Sequence, residues 1–175
     1  SDDERIDNVI SLMELQEKLM LLGGAGIPRL GIAAPGSVEA IHGAVMSGNP
    51  ADSHKFENYS TAFPQGYGLG ETWDKGALRT VGETMAAEVR YYSATGGRNS
   101  LVLWAPNADI ARDPRWGRTE ESLGEDAFLV GTLAGELVKG IQGPDERYWA
   151  ACSLMKHFLA NSNEDNRTST SSDFS

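Results

Sequence analysis

Three stretches of the chain have apolar residues at every third or fourth position, the spacing that places them on one face of a helix. In the first of them, two apolar faces are slightly rotated against each other, which predicts a kink or break near Ser11. Asp74 precedes the second stretch and is a predicted N-cap, because its carboxylate can accept from free backbone N–H groups. The predicted helices are 4–22, 75–92 and 126–142.

Short apolar runs between these helices predict strands. Each run is bounded by Gly, Pro or charged residues, and the later ones are almost continuously apolar, as strands buried on both faces are. Because strands alternate with helices, the pattern predicts an α/β fold of parallel βα units, about four of them. The predicted strands are 26–36, one within 60–74, 101–105 and 148–155.

The composition is that of a globular domain with its own core: 175 residues, 40% hydrophobic, with a formal net charge of −10. The acidic balance disfavours nucleic acid and anionic membrane surfaces as partners. No apolar run approaches the ~20 residues of a membrane span, and the first residues lack a signal-peptide pattern. A periplasmic or secreted location fits these features as well as a cytoplasmic one. Cys152, the single cysteine, is predicted to be a buried structural thiol.

The loop that follows predicted strand 101–105 carries a dense pattern of charges. Arg112, Arg115 and Arg118 are spaced by three, and acidic residues follow closely behind them. Guanidinium groups hold carboxylates or sugar hydroxyls in fixed directions, and long loops after buried strands often carry binding residues. The residues alone leave two interpretations open: a binding site, or surface ion pairs that only stabilise the loop.

Further candidates stand where predicted strands end. Lys156 and His157 follow the fourth run, where cations are costly unless they have partners. Glu39 and His42 follow the first, and the carboxyl ends of the strands form the catalytic face of a β/α barrel. An exposed turn is the alternative in each case. No metal or cofactor is predicted, because the histidines lack ligand spacing and no phosphate-binding loop is present.

Three segments resemble signatures of the family 3 glycoside hydrolases: FPQGYGLGETWD, RDPRWGR with its following GED, and KHFLANSNEDNR. That family contains exo-acting β-glycosidases that retain anomeric configuration. The resemblance implies a TIM-type (β/α)8 barrel and a terminal β-linked sugar as substrate. A full barrel needs about 250 residues. Residues 1–175 are therefore expected to form the N-terminal portion, about half, of such a barrel.

The resemblance also implies which residues bind the sugar. By their positions in the family's motifs, five side chains are expected to contact its hydroxyls: Glu39, Arg118, Lys156, His157 and Arg167. Five more are expected to support these from behind: His42, Arg112, Asp113, Arg115 and Glu120.

The catalytic carboxylates of the family are expected outside these 175 residues. The nucleophile belongs to an S-D-W-like motif well after the KHF segment, and the acid/base usually comes from a second domain. Ser172-Asp173-Phe174 is similar in letters but follows the NR motif too closely, so no catalytic residue is predicted here. The expected partners are a β-linked oligosaccharide or monosaccharide, the rest of the barrel and a second α/β domain. With open strand edges, the chain alone is expected to be inactive and to self-associate.

Three functions remain open at this point. The chain is part of an exo-β-glycosidase, a non-catalytic sugar-binding protein of the same fold, or a domain whose charged loop is only structural. Within the first, the segment KHFLANS differs from the KHFPGHG-like loop of the family's N-acetylhexosaminidases and disfavours that branch. Glu39 is one methylene longer than the Asp of many glucoside-cleaving members, which favours β-xylosides over β-glucosides.

Overall fold

The computed structural model describes residues 1–45, 60–95, 100–171 and 173. These residues form two units, Ser1–Gly36 and Ser37–Ser175. A formal glycosylation sequon at Asn58, within a segment that the sequence predicts to be an exposed loop, lies outside the described residues.

The first unit contains two helices and a tight turn. The helices are α1 (Asp2–Leu12) and α2 (Leu15–Leu22), and a 3-10 turn follows at Pro28–Leu30. Arg29 of this turn donates two hydrogen bonds to the carboxylate of Glu17 on α2, at 2.9 and 2.6 Å. This fork lowers the pKa of Glu17 to about 2 and ties the turn to the helix.

The second unit contains a parallel sheet. Its strands β1 (Val38–Glu39), β2 (Val102–Trp104) and β3 (Cys152–Ser153) lie side by side in that order. The register pairs the last residue of β1 with the last residue of β2. Beyond β3, the backbone N–H of Lys156 donates to the carbonyl oxygen of Pro106 at 3.1 Å, which extends the pairing with β2. Because all three strands run the same way, their carboxyl ends meet at one edge.

Helices of the second unit supply most of its core. The elements are α3 (Gly66–Gly70), α4 (Lys75–Ala94), the 3-10 turn Thr119–Glu121 and α5 (Ala127–Gln142). α4 and α5 pack against each other, and their apolar faces meet the buried side chains of the sheet. The fully buried side chains of this core include Val38 and Leu103 from the strands, Leu78, Met85 and Val89 from α4, and Leu133, Leu137 and Ile141 from α5.

The helix predictions are confirmed. The predicted break in the first helix lies between Leu12 and Leu15. α4 begins at Asp74, whose carboxylate accepts from two backbone N–H groups of its first turn. α5 covers almost the whole predicted range, and the side chain of Asp126 caps it.

Two of the strand predictions are wrong, and three strands rather than about four are found in the described ranges. Residues 26–36 contain the 3-10 turn and one isolated bridge, and 60–74 contains α3. Two glycines of α3 explain the second error, because a Cβ on Gly66 or Gly70 would collide with the backbone of Glu121 or Leu123. The predicted strand 148–155 is shorter than expected, and Cys152 within it is only half-buried.

Gly140→Ala is expected to destabilise the protein that carries this chain by about 1–3 kcal/mol, the usual cost of overpacking. A Cβ at this position of α5 would collide with the backbone carbonyl oxygen of Arg79 on α4. Gly135 on the same helix faces open space, so Gly135→Ala should instead stabilise by about 0.5–1 kcal/mol. Thermal unfolding measures both, and equal shifts would contradict the close helix crossing.

Candidate functional site

Glu39 and Lys156 meet at the carboxyl edge of the sheet. Glu39 ends β1, and Lys156 lies three residues after β3. The Nζ atom of Lys156 is 3.3 Å from Oε2 of Glu39 and 5.2 Å from the centre of the Trp104 ring, which ends β2. The lysine side chain is only 6% exposed, whereas that of Glu39 is 49% exposed. The buried ammonium is therefore held by a carboxylate on one side and an aromatic face on another, as a buried cation requires.

Arg118, in the loop after β2, is held by the carboxylate of Glu121. Its Nε and Nη2 atoms donate to Oε1 and Oε2 of Glu121 at 2.7 and 2.6 Å. The amide of Asn107 donates to the same Oε2 at 3.2 Å. Both members of the Arg–Glu pair are mostly buried, at 17% and 16% side-chain exposure. A two-pronged pair in this setting fixes the plane of the guanidinium.

The charge of Glu121 is stabilised by these contacts. Burial acts against the carboxylate, but hydrogen bonds from Arg118 and Asn107 outweigh it, so the pKa of Glu121 lies below its ordinary value. The same pair raises the pKa of Arg118. Since the folded-state pKa of Glu121 is lowered, the pair stabilises the fold above the pKa of the unfolded chain. That contribution is lost as pH falls through the lower folded-state value.

His157 is held by Asp109, which lies 48 residues earlier in the chain. Nδ1 of the ring and Oδ2 of the carboxylate are 2.6 Å apart, and both side chains are largely buried. An ionised carboxylate can only accept, so Nδ1 carries the hydrogen. Nε2 of the neutral ring is then an acceptor, which suits a ligand hydroxyl that donates.

Glu164 links the two arginines of the predicted site. Its Oε2 atom is 3.3 Å from Nη1 of Arg167, and its Oε1 atom is 3.7 Å from Nη1 of Arg118. The Arg167 side chain is 55% exposed, so it forms the open side of the cluster. The five predicted sugar ligands thus lie in three sets of ion pairs: Glu39 with Lys156, Asp109 with His157, and Glu121 and Glu164 with Arg118 and Arg167. Charge interactions of Lys156 with Glu121 and of Asp109 with Arg118 connect these sets into one network.

The residues predicted to support the sugar ligands make no hydrogen bond or ion pair with those ligands in the described part of the chain. Arg115 is 89% exposed and pairs with Asp113 at 2.6 Å, a surface pair that stabilises the loop. Arg112 donates to the hydroxyl of Ser162 at 3.2 Å, which ties the loop to the segment after Lys156. Two others lie exposed, and their side chains make no ion pair or hydrogen bond with the described part of the chain: His42 and Glu120.

The residues that the sequence analysis missed are Asp109, Glu121 and Glu164. Glu121 occupies the supporting place predicted for Glu120. Arg118 immediately precedes the 3-10 turn, and in such a turn side chains three apart lie over each other. The spacing of three between Arg118 and Glu121 was therefore a usable signal. No comparable signal marks Asp109, because its pairing with His157 depends on the tertiary fold.

Two cavities adjoin the loop. A polar one of about 310 Å³ is lined by Glu164, Ser162, Trp116 and Asp113 among others, beside the ion-pair network. A more apolar one of about 480 Å³ is lined by residues of α3 and α5 and by the exposed rings of Trp73 and Phe128. Neither cavity has any of the five predicted sugar ligands among the residues that line it.

Comparison with known proteins decides the family. The model of the glycosyl hydrolase family 3 N-terminal domain matches residues 29–173. The chain belongs to glycosyl hydrolase family 3. The match contains all three segments that resemble this family, and it confirms the resemblance.

Relatives in family 3 are similar along nearly the whole chain. A xylan 1,4-beta-xylosidase of Xylanibacter ruminicola is 35% identical over 175 residues, covering 93% of this chain and 19% of that protein. A probable exo-1,4-beta-xylosidase, bxlB, of Aspergillus fumigatus is 37% identical over 172 residues, covering 92% and 21%. The chain thus spans about a fifth of the length of the curated relatives it matches.

Solved structures of the family share this fold. A GH3 exo-beta-xylosidase (XlnD) in complex with a xylobiose aziridine activity-based probe superposes with a TM-score of 0.81 at 27% identity, covering 94% of this chain and 22% of that one. Beta-glucosidase 3B from Thermotoga neapolitana in complex with glucose gives 0.74 at 31% identity, covering 93% and 24%. The prediction of a partial barrel with parallel strands and flanking helices is confirmed.

No helix in the described ranges, 1–45, 60–95 and 100–171, has the length and apolar character needed to cross a membrane. Among the same residues, no group of three or more His, Cys, Asp or Glu side chains is placed to hold a metal ion.

Proposed function

We propose that this chain is the sugar-binding part of an exo-acting, retaining β-glycosidase that cleaves terminal β-linked sugars from the non-reducing ends of oligosaccharides. The observation that carries the proposal is the network that joins Glu39, Lys156, Arg118, His157 and Arg167 next to the carboxyl edge of the sheet. The relatives named as β-xylosidases and β-glucosidases support the same reaction class.

The network suits a neutral, hydroxyl-rich ligand. Ammonium and guanidinium groups donate, while Glu39 and the Nε2 atom of His157 accept, so a ring of hydroxyls can be satisfied from several directions. Each cation already has a carboxylate partner, so a neutral sugar leaves no cation unpaired. Groups fixed in this way can hold the anomeric carbon in position and favour a distorted ring, which lowers the barrier to glycoside cleavage.

The nucleophile and the acid/base are assigned to other segments of the enzyme, including a second α/β domain. The exposed apolar side chains of the second unit support such partners. Trp73 is 73% exposed, Phe128 82% and Phe158 96%. Large rings in contact with water are typical of surfaces that another segment covers. Self-association of the chain on its own remains a prediction from the same exposure.

For the sugar, we propose β-xylosides as the preferred substrates, with β-glucosides second. Glu39 is one methylene longer than an aspartate, and that methylene can occupy the space of the C6 hydroxymethyl group, which xylose lacks. A methylene changes discrimination by about 1–3 kcal/mol. The relatives from Xylanibacter ruminicola and Aspergillus fumigatus, both named as β-xylosidases, support this preference.

The test uses the full-length protein that carries this chain, with nitrophenyl β-xyloside and nitrophenyl β-glucoside. We expect a higher kcat/KM for the xyloside, and a gain of about 10-fold for the glucoside in Glu39→Asp, the worth of about 1.4 kcal/mol. Higher wild-type activity on the glucoside without any gain in Glu39→Asp would contradict the steric role of Glu39.

The same experiment separates an enzyme from a sugar-binding protein. Release of nitrophenol supports the glycosidase. Saturable binding of xylose by calorimetry without release would identify a non-catalytic binding protein. Absence of both would overturn the proposed function.

A further inference from the structure

The carboxylate of Glu121 interacts with three groups: the guanidinium of Arg118, the amide of Asn107 and the ammonium of Lys156. Its two oxygens accept from Nε and Nη2 of Arg118 at 2.7 and 2.6 Å, and Oε2 also accepts from Asn107 at 3.2 Å. The Lys156 ammonium adds a further attraction to the same carboxylate. Glu121 therefore pairs directly with Arg118 and attracts Lys156, two of the cations predicted to bind the sugar.

The position of Glu121 is fixed by the backbone around it. The 3-10 turn that contains it begins immediately after Arg118, and its backbone N–H donates to the carbonyl oxygen of Arg118 at 3.1 Å. On the other side, α3 approaches so closely that a Cβ on Gly66 would collide with the carbonyl of Glu121. The next residue, Ser122, is fully buried and its hydroxyl donates to the carbonyl oxygen of Asp109 at 2.6 Å. The backbone that carries the Glu121 carboxylate therefore has little freedom to move.

The pairing with Glu121 uses two of the three guanidinium nitrogen atoms of Arg118 and leaves the third, Nη1, available to a ligand. Glu121 occupies Nε and Nη2, while Nη1 lies 3.7 Å from Glu164, which is beyond hydrogen-bond distance. A guanidinium held at two of its nitrogen atoms presents the third in a fixed direction. The N–H groups of Nη1 are therefore already oriented, so no conformational entropy of the Arg118 side chain is lost when a ligand binds.

We propose that Glu121 is the positioning residue of the sugar site: it orients the Arg118 guanidinium for a sugar hydroxyl and balances the charge of Lys156. This inference rests on the proposed function and adds a residue that the family's sugar-binding positions, as carried over to this chain, do not include. Glu121 does not touch the sugar. It acts through Arg118.

The test is a double-mutant cycle in the full-length protein, with Glu121→Gln, Arg118→Met and the double variant, assayed on nitrophenyl β-xyloside. Glu121→Gln keeps the shape of the side chain but loses the charge and one acceptor. We expect it to lower kcat/KM about 10- to 100-fold, the range for losing a charge-assisted hydrogen bond. The double variant should be no worse than Arg118→Met alone, because the effect of Glu121 passes through the arginine.

Glu83→Gln is the matched control. It makes the same chemical change on α4, on a side chain that is exposed to solvent and belongs to none of the sets of residues assigned to the sugar site. Its kcat/KM should equal that of the wild type. If Glu121→Gln fails to fold, Glu121→Asp replaces it, since the shorter carboxylate keeps the charge but cannot form both prongs with Arg118.

The outcomes separate this proposal from the proposed function. Equal activity of Glu121→Gln and Glu83→Gln would overturn the positioning role. Losses that add in the double variant would also overturn it, because additive losses indicate a merely structural contribution. If the wild type neither cleaves the xyloside nor binds xylose, the proposed function is overturned and this role with it.

Discussion

Replacing Lys156 with methionine is expected to lower kcat/KM on the preferred aryl β-glycoside by about 100-fold or more. Methionine keeps the apolar stem of the lysine, so packing against Trp104 persists while the ammonium is lost. A charge-assisted hydrogen bond to a ligand is worth about 1.5–3 kcal/mol, and 3 kcal/mol corresponds to about 150-fold in rate. The loss also leaves Glu39 without the cation that lies 3.3 Å away.

Lys139→Met is the control for this substitution. Lys139 also forms an ion pair with a glutamate, Glu136, at 2.7 Å, but its side chain is 59% exposed on the outer face of α5. Exposed pairs contribute little, so this variant should keep wild-type kinetics and melt near the wild-type temperature. Comparable kinetic losses in both variants would show that Lys156 has no special role.

The 175 residues expressed alone are expected to show no glycosidase turnover above background. Retaining hydrolysis needs two carboxylates about 5 Å apart, one as nucleophile and one as acid/base. Each carboxylate of the network already has a partner. Glu39 pairs with Lys156, Glu121 with Arg118 and Glu164 with Arg167, while Asp109 accepts from the ring N–H of His157. Groups held in this way position a ligand and are poorly suited to attack one.

Turnover by the isolated chain is measured as nitrophenol release from nitrophenyl β-xyloside and β-glucoside, with the full-length protein as the positive control. Asp173 is the carboxylate in the S-D-W-like letters, and it is exposed. Turnover by the isolated chain that disappears in Asp173→Asn would contradict the prediction and make Asp173 the nucleophile. Turnover that survives this substitution would point instead to a carboxylate of the network.

The helices could be predicted because their signals are local. The core face of α4 repeats at three and four residues, and Asp74 stands where a cap is needed. The strands were harder to predict, because a short apolar run that contains glycine is compatible with a strand, a turn or a short helix. Within residues 60–74, only Gly66–Gly70 is helical, and its glycines allow a close approach to the loop around Leu123, a contact that only the folded chain defines.

In the candidate site, too, some features could be predicted from local sequence and others depend on tertiary contacts. The five predicted sugar ligands follow from motif positions, and the structure places them in one network. The carboxylates that contact these side chains could not be identified from motif positions. Glu120 and Glu121 are adjacent and chemically identical, and the 3-10 turn decides which of them covers Arg118. Asp109 and His157 are 48 residues apart, so their contact depends on the pairing of β2 with β3.

The sequence alone was enough to predict the family and the long helices and to propose side chains that bind a sugar, because motifs, caps and periodic apolar faces are properties of neighbouring residues. Only the tertiary structure decided which carboxylate holds each of those side chains. Ion pairs form between groups that the parallel strands and the loop bring within about 3 Å, whatever their separation along the chain. Glu39 and Lys156, 117 residues apart, are neighbours because β1 and β3 flank the same central strand.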